Sequence, residues 1–485
     1  AEGDLLLIKD KKILVIFSNA SQEIFGYDII DPKNPVKKWT MKLEDNTALL
    51  NSRLANGKIY LVARQYIDYT DPCPIKPLSL NGSPIIIPCV EIYRPGRVIP
   101  TDVTYTAFIL DPATGTIEKK LSFLGSTEDS VLYMSPNALY VTYYSPEDPA
   151  RVQIAVLLGD ARSLFPASVI ERIEKLNSYD ISDTAKLTEL QTIIENHTRT
   201  LSRDDAMRLE NELANKTNLY IKAHVRELAK TTIVKIGLTD FAIAKTGSVP
   251  GYLLNQFAMD EYNGNLRIAV TIGGRFWGWG WNGGNDTAND VYVLDQNLAI
   301  TGKVQNLGLT ERIYSARFVE DRGYLVTFRQ IDPFYVLDLA DPKNPQMKGE
   351  LKIPGYSAYL EPISEHKILG VGREGNQVKV SLFDVSNPSN PVEKDKYILN
   401  DSWSEVESNH HAFLRDEKHQ IFFIPGSQGG YIFSYKDDKL SLARTVSDYQ
   451  VKRAIYLDDY LYIIGENKIA VFSELNWEKV KELSL

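Results

Sequence analysis

The sequence predicts an all-β protein: a single β-propeller of about eight four-stranded blades, with seven as the alternative count and an α-helical insertion in one blade. Three observations predict it. The turn DPKNP occurs at 31–35 and again, letter for letter, at 341–345, with a variant NPSNP at 387–391. Alternating apolar strands flank these turns, and a second strand pair lies upstream. Between 147 and 230 the alternation is replaced by a helical period.

The turns come first because they fix the unit. Proline presets one turn dihedral, while Asp and Asn side chains bond the backbone two residues on. YDIIDPKNPVKKWTMKL from Tyr27, FILDPATGTIEKKLSFL from Phe108, YVLDLADPKNPQMKGELKI from Tyr335 and LFDVSNPSNPVEKDKYIL from Leu382 therefore read as hairpins. Further hairpins include IYSARFVEDRGYLVTFRQ from Ile313, AYLEPISEHKILGVGRE from Ala358, AFLRDEKHQIFFIP from Ala412 and RAIYLDDYLYIIGE from Arg453. Two hairpins make a four-stranded unit, and Pro345 and Pro391 lie 46 residues apart, a blade-like spacing. Eight units begin near Asp4, Thr47, Asp129, Leu253, Arg312, Gly355, His410 and Val451. A lone blade has two apolar faces it cannot bury, so neighbours must stack around an axis.

Two segments interrupt the repeat, at 67–103 and 147–230. The first contains CPIKPLSLNGSPIIIPC, a Pro-rich loop bracketed by the chain's two cysteines, Cys73 and Cys89. With no histidine or third thiol nearby for a metal site, the pair reads as a disulfide, the alternative being two free thiols. Such a bridge would contribute about 3 kcal/mol and belongs to an oxidising compartment. The second carries apolar residues at helical spacing, with Ser182 and Ser202 as helix starts. It reads as a helical hairpin or small bundle mounted on the third blade.

Composition narrows the partners. A net charge of -9 without a Lys/Arg block argues against nucleic acid, and no apolar run is long enough to span a membrane. The sequons Asn19, Asn81, Asn196, Asn215, Asn285 and Asn400 point outside the cell, with Asn81 set aside because Pro84 follows its Ser83. The expectation is a secreted or cell-surface glycoprotein whose signal peptide has been removed.

The stretches SVPGYLLNQFAMDEYNGNLRIAV from Ser248, ERIYSARFVEDRGYLVTFRQIDPFYVLDLADPKNP from Glu311, SLFDVSNPSNP and SEVESNHHAF from Ser404 carry a resemblance. They resemble secreted archaeal and bacterial proteins containing a C-terminal β-propeller domain distantly related to WD repeats. The likeness extends over almost the whole chain, including the helical insert and the cysteine pair before YRPGR. It implies the propeller fold and export, and assigns no chemistry.

Propeller ligands bind where the innermost strands begin. Aligning those starts brings Asn255, Ser315, Ser357, His411 and Arg453 to equivalent positions, with Asn51 and Ser130 near them. A polar ring at a channel mouth is the functional reading, and the ordinary polar lining of any propeller channel is the plain one. Among six histidines, His410 and His411 are adjacent; on a strand they would face opposite sides, leaving His411 beside Glu405 as a candidate divalent-metal pair. In GGRFWGWGWNGGNDTAND, the alternating Trp277, Trp279 and Trp281 would share one strand face, an aromatic platform for a sugar or partner surface. Asp260 and Glu261 read as turn residues. No nucleophile elbow, P-loop, dinucleotide fingerprint or EF-hand loop is present, so no catalytic residue is named.

The function expected is a non-catalytic binding or assembly module for protein, glycan or self-association, including a surface-layer or filament component. The alternative is a metal-binding or enzymatic propeller centred on its channel.

Overall fold

The computed structural model describes residues 4–485 except Asn19, 96–100, 275–286 and 329–331. Among the described residues the strands form eight antiparallel meanders, the blades of a β-propeller, spanning 5–43, 47–125, 131–250, 259–307, 312–353, 356–398, 414–446 and 451–484. Blades one to three lie in one compact unit within Ala1–Tyr252. Blades four to eight form a second, from Leu253–Ile272 and Asn285–Leu485.

One irregularity recurs in every blade. The third and outermost strands lose register shortly before their connecting turn, at Gly26/Tyr27, Ile109/Leu110, Lys235/Ile236, Val293/Leu294, Val336/Leu337, Leu382/Phe383, Ile432/Phe433 and Val471/Phe472. A β-bulge adds one residue to one strand and sharpens the local right-handed twist. Here it bends each outer strand close to its connecting turn. In blades one, five and six the bulged residue is a lysine, and in the first two Lys38 and Lys348 pair with Asp28 and Asp338 at 3.4 and 3.3 Å.

The repeated turn follows directly. Asp31, Asp341 and Asn387 each accept a hydrogen bond on Oδ1 from the amide two residues on, at 3.1, 2.9 and 3.2 Å. Each carbonyl also accepts from the amide three residues on, at 3.0, 3.1 and 3.0 Å. Asp and Asn both supply that acceptor, which is why NPSNP can stand for DPKNP.

The segment between Lys58–Tyr66 and Val103–Leu110 builds more strand than its prolines suggest. Ile75–Leu80 and Ser83–Ile87 form a hairpin about Asn81–Gly82, both at positive φ, the geometry an Asn-Gly turn supplies. The hairpin adds to the outer edge of blade one through Met41 and Leu80. Pro84 is tolerated because Ser83–Ile87 is the edge strand of the sheet, and Pro77 lies in the register break between Ile75 and Leu78. Ile92–Tyr93 then joins the outer strand of blade two in parallel. Cys73 and Cys89 form a disulfide around the hairpin, with Cα atoms 5.4 Å apart.

Between the second and third strands of blade three stand four helices, α1 (Pro149–Leu158), α2 (Ala167–Ser178), α3 (Asp183–Thr198) and α4 (Arg203–Leu228). Asp148, Ser182 and Ser202 cap α1, α3 and α4 by accepting first-turn amides. Ile154, Leu157, Ile170, Ile173, Leu190 and Leu213 belong to a core the helices share only among themselves. No described helix is long and apolar enough to cross a membrane.

Candidate functional site

The innermost strands of the second unit and the turns before them carry a polar network. Those of blades five and eight bulge one residue before Ser315 and Arg453, and that of blade six one residue after Ser357. In the first unit, blade two bulges just before Asn51. A bulge re-aims the side chains beside it, so these positions are set apart from the regular pleat.

The five candidates of the proposed ring make different contacts in the structure. Ser315 and Ser357 are each only 3% exposed, and Ser315 Oγ donates to the Ser357 carbonyl at 2.7 Å. They tie blade five to blade six. Asn255 accepts from the Phe257 amide at 2.9 Å and caps the 3-10 turn Gln256–Ala258. His411 is exposed, and its amide donates to Asn409 Oδ1 at 3.1 Å. Arg453 reaches Glu405 with both terminal nitrogens, each contact 2.8 Å. In the first unit, Asn51 accepts from Arg53 at 2.6 Å and Ser130 from Arg64 at 3.2 Å.

The histidine pair departs from its expected conformation. Asn409 caps a 3-10 turn over His410–Ala412, so the two rings do not take opposite faces of a strand. Their centroids lie 4.0 Å apart. Glu405 is held on both oxygens, by Arg453 and by Asn409 Nδ2 at 2.8 Å. Arg453, the largest influence, keeps its carboxyl below the ordinary range. A cation at Glu405 and His411 would have to displace that guanidinium.

The two 3-10 turns meet at Phe257. His410 packs edge-on against its ring at 5.0 Å, the Arg317 guanidinium lies 4.6 Å from the ring centre, and Tyr359 stands 5.9 Å away. Arg317 pairs with Glu361 at 3.5 Å, Tyr359 donates to Glu361 at 2.7 Å, and Arg415 donates to the Pro362 carbonyl at 3.2 Å. Burial first, then the Glu361 charge, raises the Tyr359 hydroxyl pKa, so it stays a donor. Blades four to seven thus contribute to a cluster in which arginine rests on an aromatic face. Strand starts do not point to Arg317, Glu361 or Arg415, which lie further along their strands. Arg317 and Glu361 lie two residues beyond Ser315 and Tyr359, on the same strand faces.

Asp260 lies in the strand Met259–Tyr262, and the turn is made by Asn263 and Gly264, both at positive φ. Its carboxylate binds the buried Arg267, with Nε donating at 3.0 Å. Asn196 on α3, Asn215 on α4 and Asn400 after blade six are exposed. Asn19, Asn285, Trp277, Trp279 and Trp281 lie outside the described residues.

An uncharacterised protein of Archaeoglobus fulgidus is 47% identical over all of this chain, which covers 74% of its length. One of Methanocaldococcus jannaschii is 36% identical over all of this chain, covering 75%. Among solved structures, a eukaryotic initiation factor is similar over 99% of this chain and 87% of its own, with a TM-score of 0.46 and 10% identity. Apo AztD from Citrobacter koseri is similar over 98% and 94%, with a TM-score of 0.41 and 10% identity. The family described as the Beta propeller domain matches residues 8–476, and the chain belongs to that family.

Proposed function

We propose that this propeller is a non-catalytic binding and assembly module acting outside the cytoplasm, on a surface protein, a glycan or further copies of itself. The observation that carries this reading is the α1–α4 bundle. It has a core of its own, leaves blade three through a single strand connection, and exposes Tyr179, Ile181, Met207 and Leu219. An appendage cored separately from the sheets can engage a partner without disturbing the blades. The Cys73–Cys89 disulfide and the exposed sequons Asn196, Asn215 and Asn400 support an oxidising, extracellular setting. The polar contacts around Phe257 and Glu405 are satisfied within the fold, as in a scaffold.

Cross-linking on intact native cell envelopes tests the reading. Cross-links from lysines of the bundle, such as Lys175, Lys186 or Lys216, to an envelope component or another copy are expected. Recovery of the protein free in the soluble cell fraction, without such cross-links, would sink it.

A further inference from the structure

A second cluster, sharing no residue with the network around Phe257, joins blades seven and eight. Asp416 ends the innermost strand of blade seven, Leu414–Asp416, and its Oδ1 accepts from the Lys418 amide at 2.9 Å. That contact curls the turn, and Gln420 at positive φ returns the chain to Ile421–Pro425. His419 is thereby folded back over Asp416, with Nδ1 2.5 Å from Oδ2. Glu474 follows the third strand of blade eight, Lys468–Ser473, and its amide donates to the Asp459 carbonyl at 2.8 Å. Its Oε2 lies 3.2 Å from the same His419 Nδ1.

The donors are arranged for more than one proton can serve. The Glu474 side chain is 0% exposed and that of Asp416 2%, yet neither Glu474 oxygen accepts a hydrogen bond. Nδ1 can carry only one hydrogen, and Asp416 is the nearer acceptor. A buried carboxylate without a partner is costly. On the far side of the ring, Nε2 faces Asp459 Oδ1 at 3.0 Å, and Lys418 holds that oxygen at 2.6 Å. A carboxylate on Nε2–H fixes the tautomer that turns the Nδ1 lone pair inward, the usual outer support of a metal-bound histidine.

We propose that Asp416, His419 and Glu474 form a binding site for a divalent first-row transition-metal ion, Zn2+ by its donor set, joining blade seven to blade eight. The three ligand atoms lie within 4.8 Å of one another. One imidazole nitrogen with two carboxylates suits Zn2+, whereas Ca2+ takes six to eight oxygens. Asp459 acts as the positioning residue, through Nε2. The site is independent of the binding role proposed above, since it requires no partner.

The test uses the full chain, stripped with a chelator, reloaded with Zn2+ alone and passed through gel filtration before metal analysis and thermal unfolding. One Zn2+ per chain and a raised melting temperature are expected. His419→Ala and Glu474→Gln should lose both, His411→Ala should keep both, and Asp459→Asn should weaken Zn2+ binding roughly 10- to 100-fold. Glu474→Gln keeps the volume and removes a buried charge, so it stays informative if His419→Ala fails to fold. A wild-type chain that retains no Zn2+ would overturn the proposal in favour of a carboxylate pair sharing a proton. Undiminished binding in Glu474→Gln would overturn it as well.

Discussion

Trp39, on the outermost strand of blade one, donates from Nε1 to the Pro112 carbonyl of blade two at 2.9 Å. Pro112 belongs to the DPATG turn, and the same interaction recurs around the second unit with a different partner. Gly302 of blade four lies against Pro342 and Pro345 of the second DPKNP turn, and Gly349 of blade five against Pro388 and Pro391 of NPSNP. Trp39, Gly302 and Gly349 are each the last residue in register before the bulge, opposite Gly26, Val293 and Val336. The repeated turn is thus a contact between blades. Where its neighbour supplies glycine, the proline carbonyl presses on bare backbone. Where the neighbour supplies tryptophan, glycines at 26 and 115 give the space.

Alanine at Gly302 or Gly349 is therefore expected to destabilise the protein although glycine is usually the poorer strand residue. A Cβ at Gly302 would stand 2.6 Å from Pro345 Cδ, and one at Gly349 2.8 Å from Pro391 Cδ, both besides closer approaches to the preceding proline carbonyls. Overpacking of this kind costs about 1–3 kcal/mol. Denaturant midpoints measure it, and an unchanged or raised midpoint would show that the turns give way freely.

Trp39→Ala should cost more, about 3–5 kcal/mol, because a large side chain only 2% exposed is lost together with its hydrogen bond. Replacing Gly115, whose Cβ would meet the indole at 2.7 Å, should reproduce part of that loss. If the two effects simply add in the double variant, the indole and the glycine are not packed as described.

The sequence makes some of this legible and hides the rest for identifiable reasons. DPKNP and its spacing reveal the blade because turn chemistry is local, and Ser182 and Ser202 reveal helix starts for the same cause. The contact of Pro342 with Gly302 is invisible, since it joins residues forty positions apart in different blades. His410 and His411 read as strand residues in the sequence, whereas the Asn409 cap curls them into a 3-10 turn. Prolines on both strands hide the Asn81–Gly82 hairpin, one of them at the sheet edge and the other in a register break. Asp416, His419 and Glu474 meet only because blades seven and eight stack, so no spacing announces them.

Asp401 supplies a pH-dependent contribution. It is 2% exposed. Burial, the largest influence, would raise its carboxyl, but donors from Ser427, Tyr431 and the amides of Gln428 and Trp403 outweigh it and hold the pKa below the ordinary 3.8. A depressed native value means that the unfolded chain binds the proton more readily. The stabilisation is present above the unfolded value and fades as pH falls through the native one. Asp401→Asn is expected to lower stability by about 1–3 kcal/mol at neutral pH. Urea unfolding from pH 7 to pH 3 should show the difference narrowing at the acid end, and a constant gap would exclude the charge as its source.

The helical bundle gives the sharpest test of how blade and appendage are divided. Its two ends meet. Tyr144 pairs with Thr231, the Ser145 amide donates to the Lys230 carbonyl at 2.7 Å, and the Glu147 amide donates to the Leu228 carbonyl at 2.7 Å. The second and third strands of blade three would therefore make an ordinary hairpin without the helices. Replacing 147–228 by Asn-Gly supplies a two-residue turn suited to that hairpin and keeps Ala229 packed with Tyr144 and Tyr252. Because the bundle core contains no sheet residue, the shortened chain should lose helical circular dichroism, retain the strand signal and still unfold cooperatively. Under the binding role proposed here it should also lose its envelope cross-links, while Zn2+ retention at Asp416, His419 and Glu474 stays unchanged. Collapse of the strand signal would mean that the helices are part of the folding unit of blade three, and that their separate core is no measure of independence.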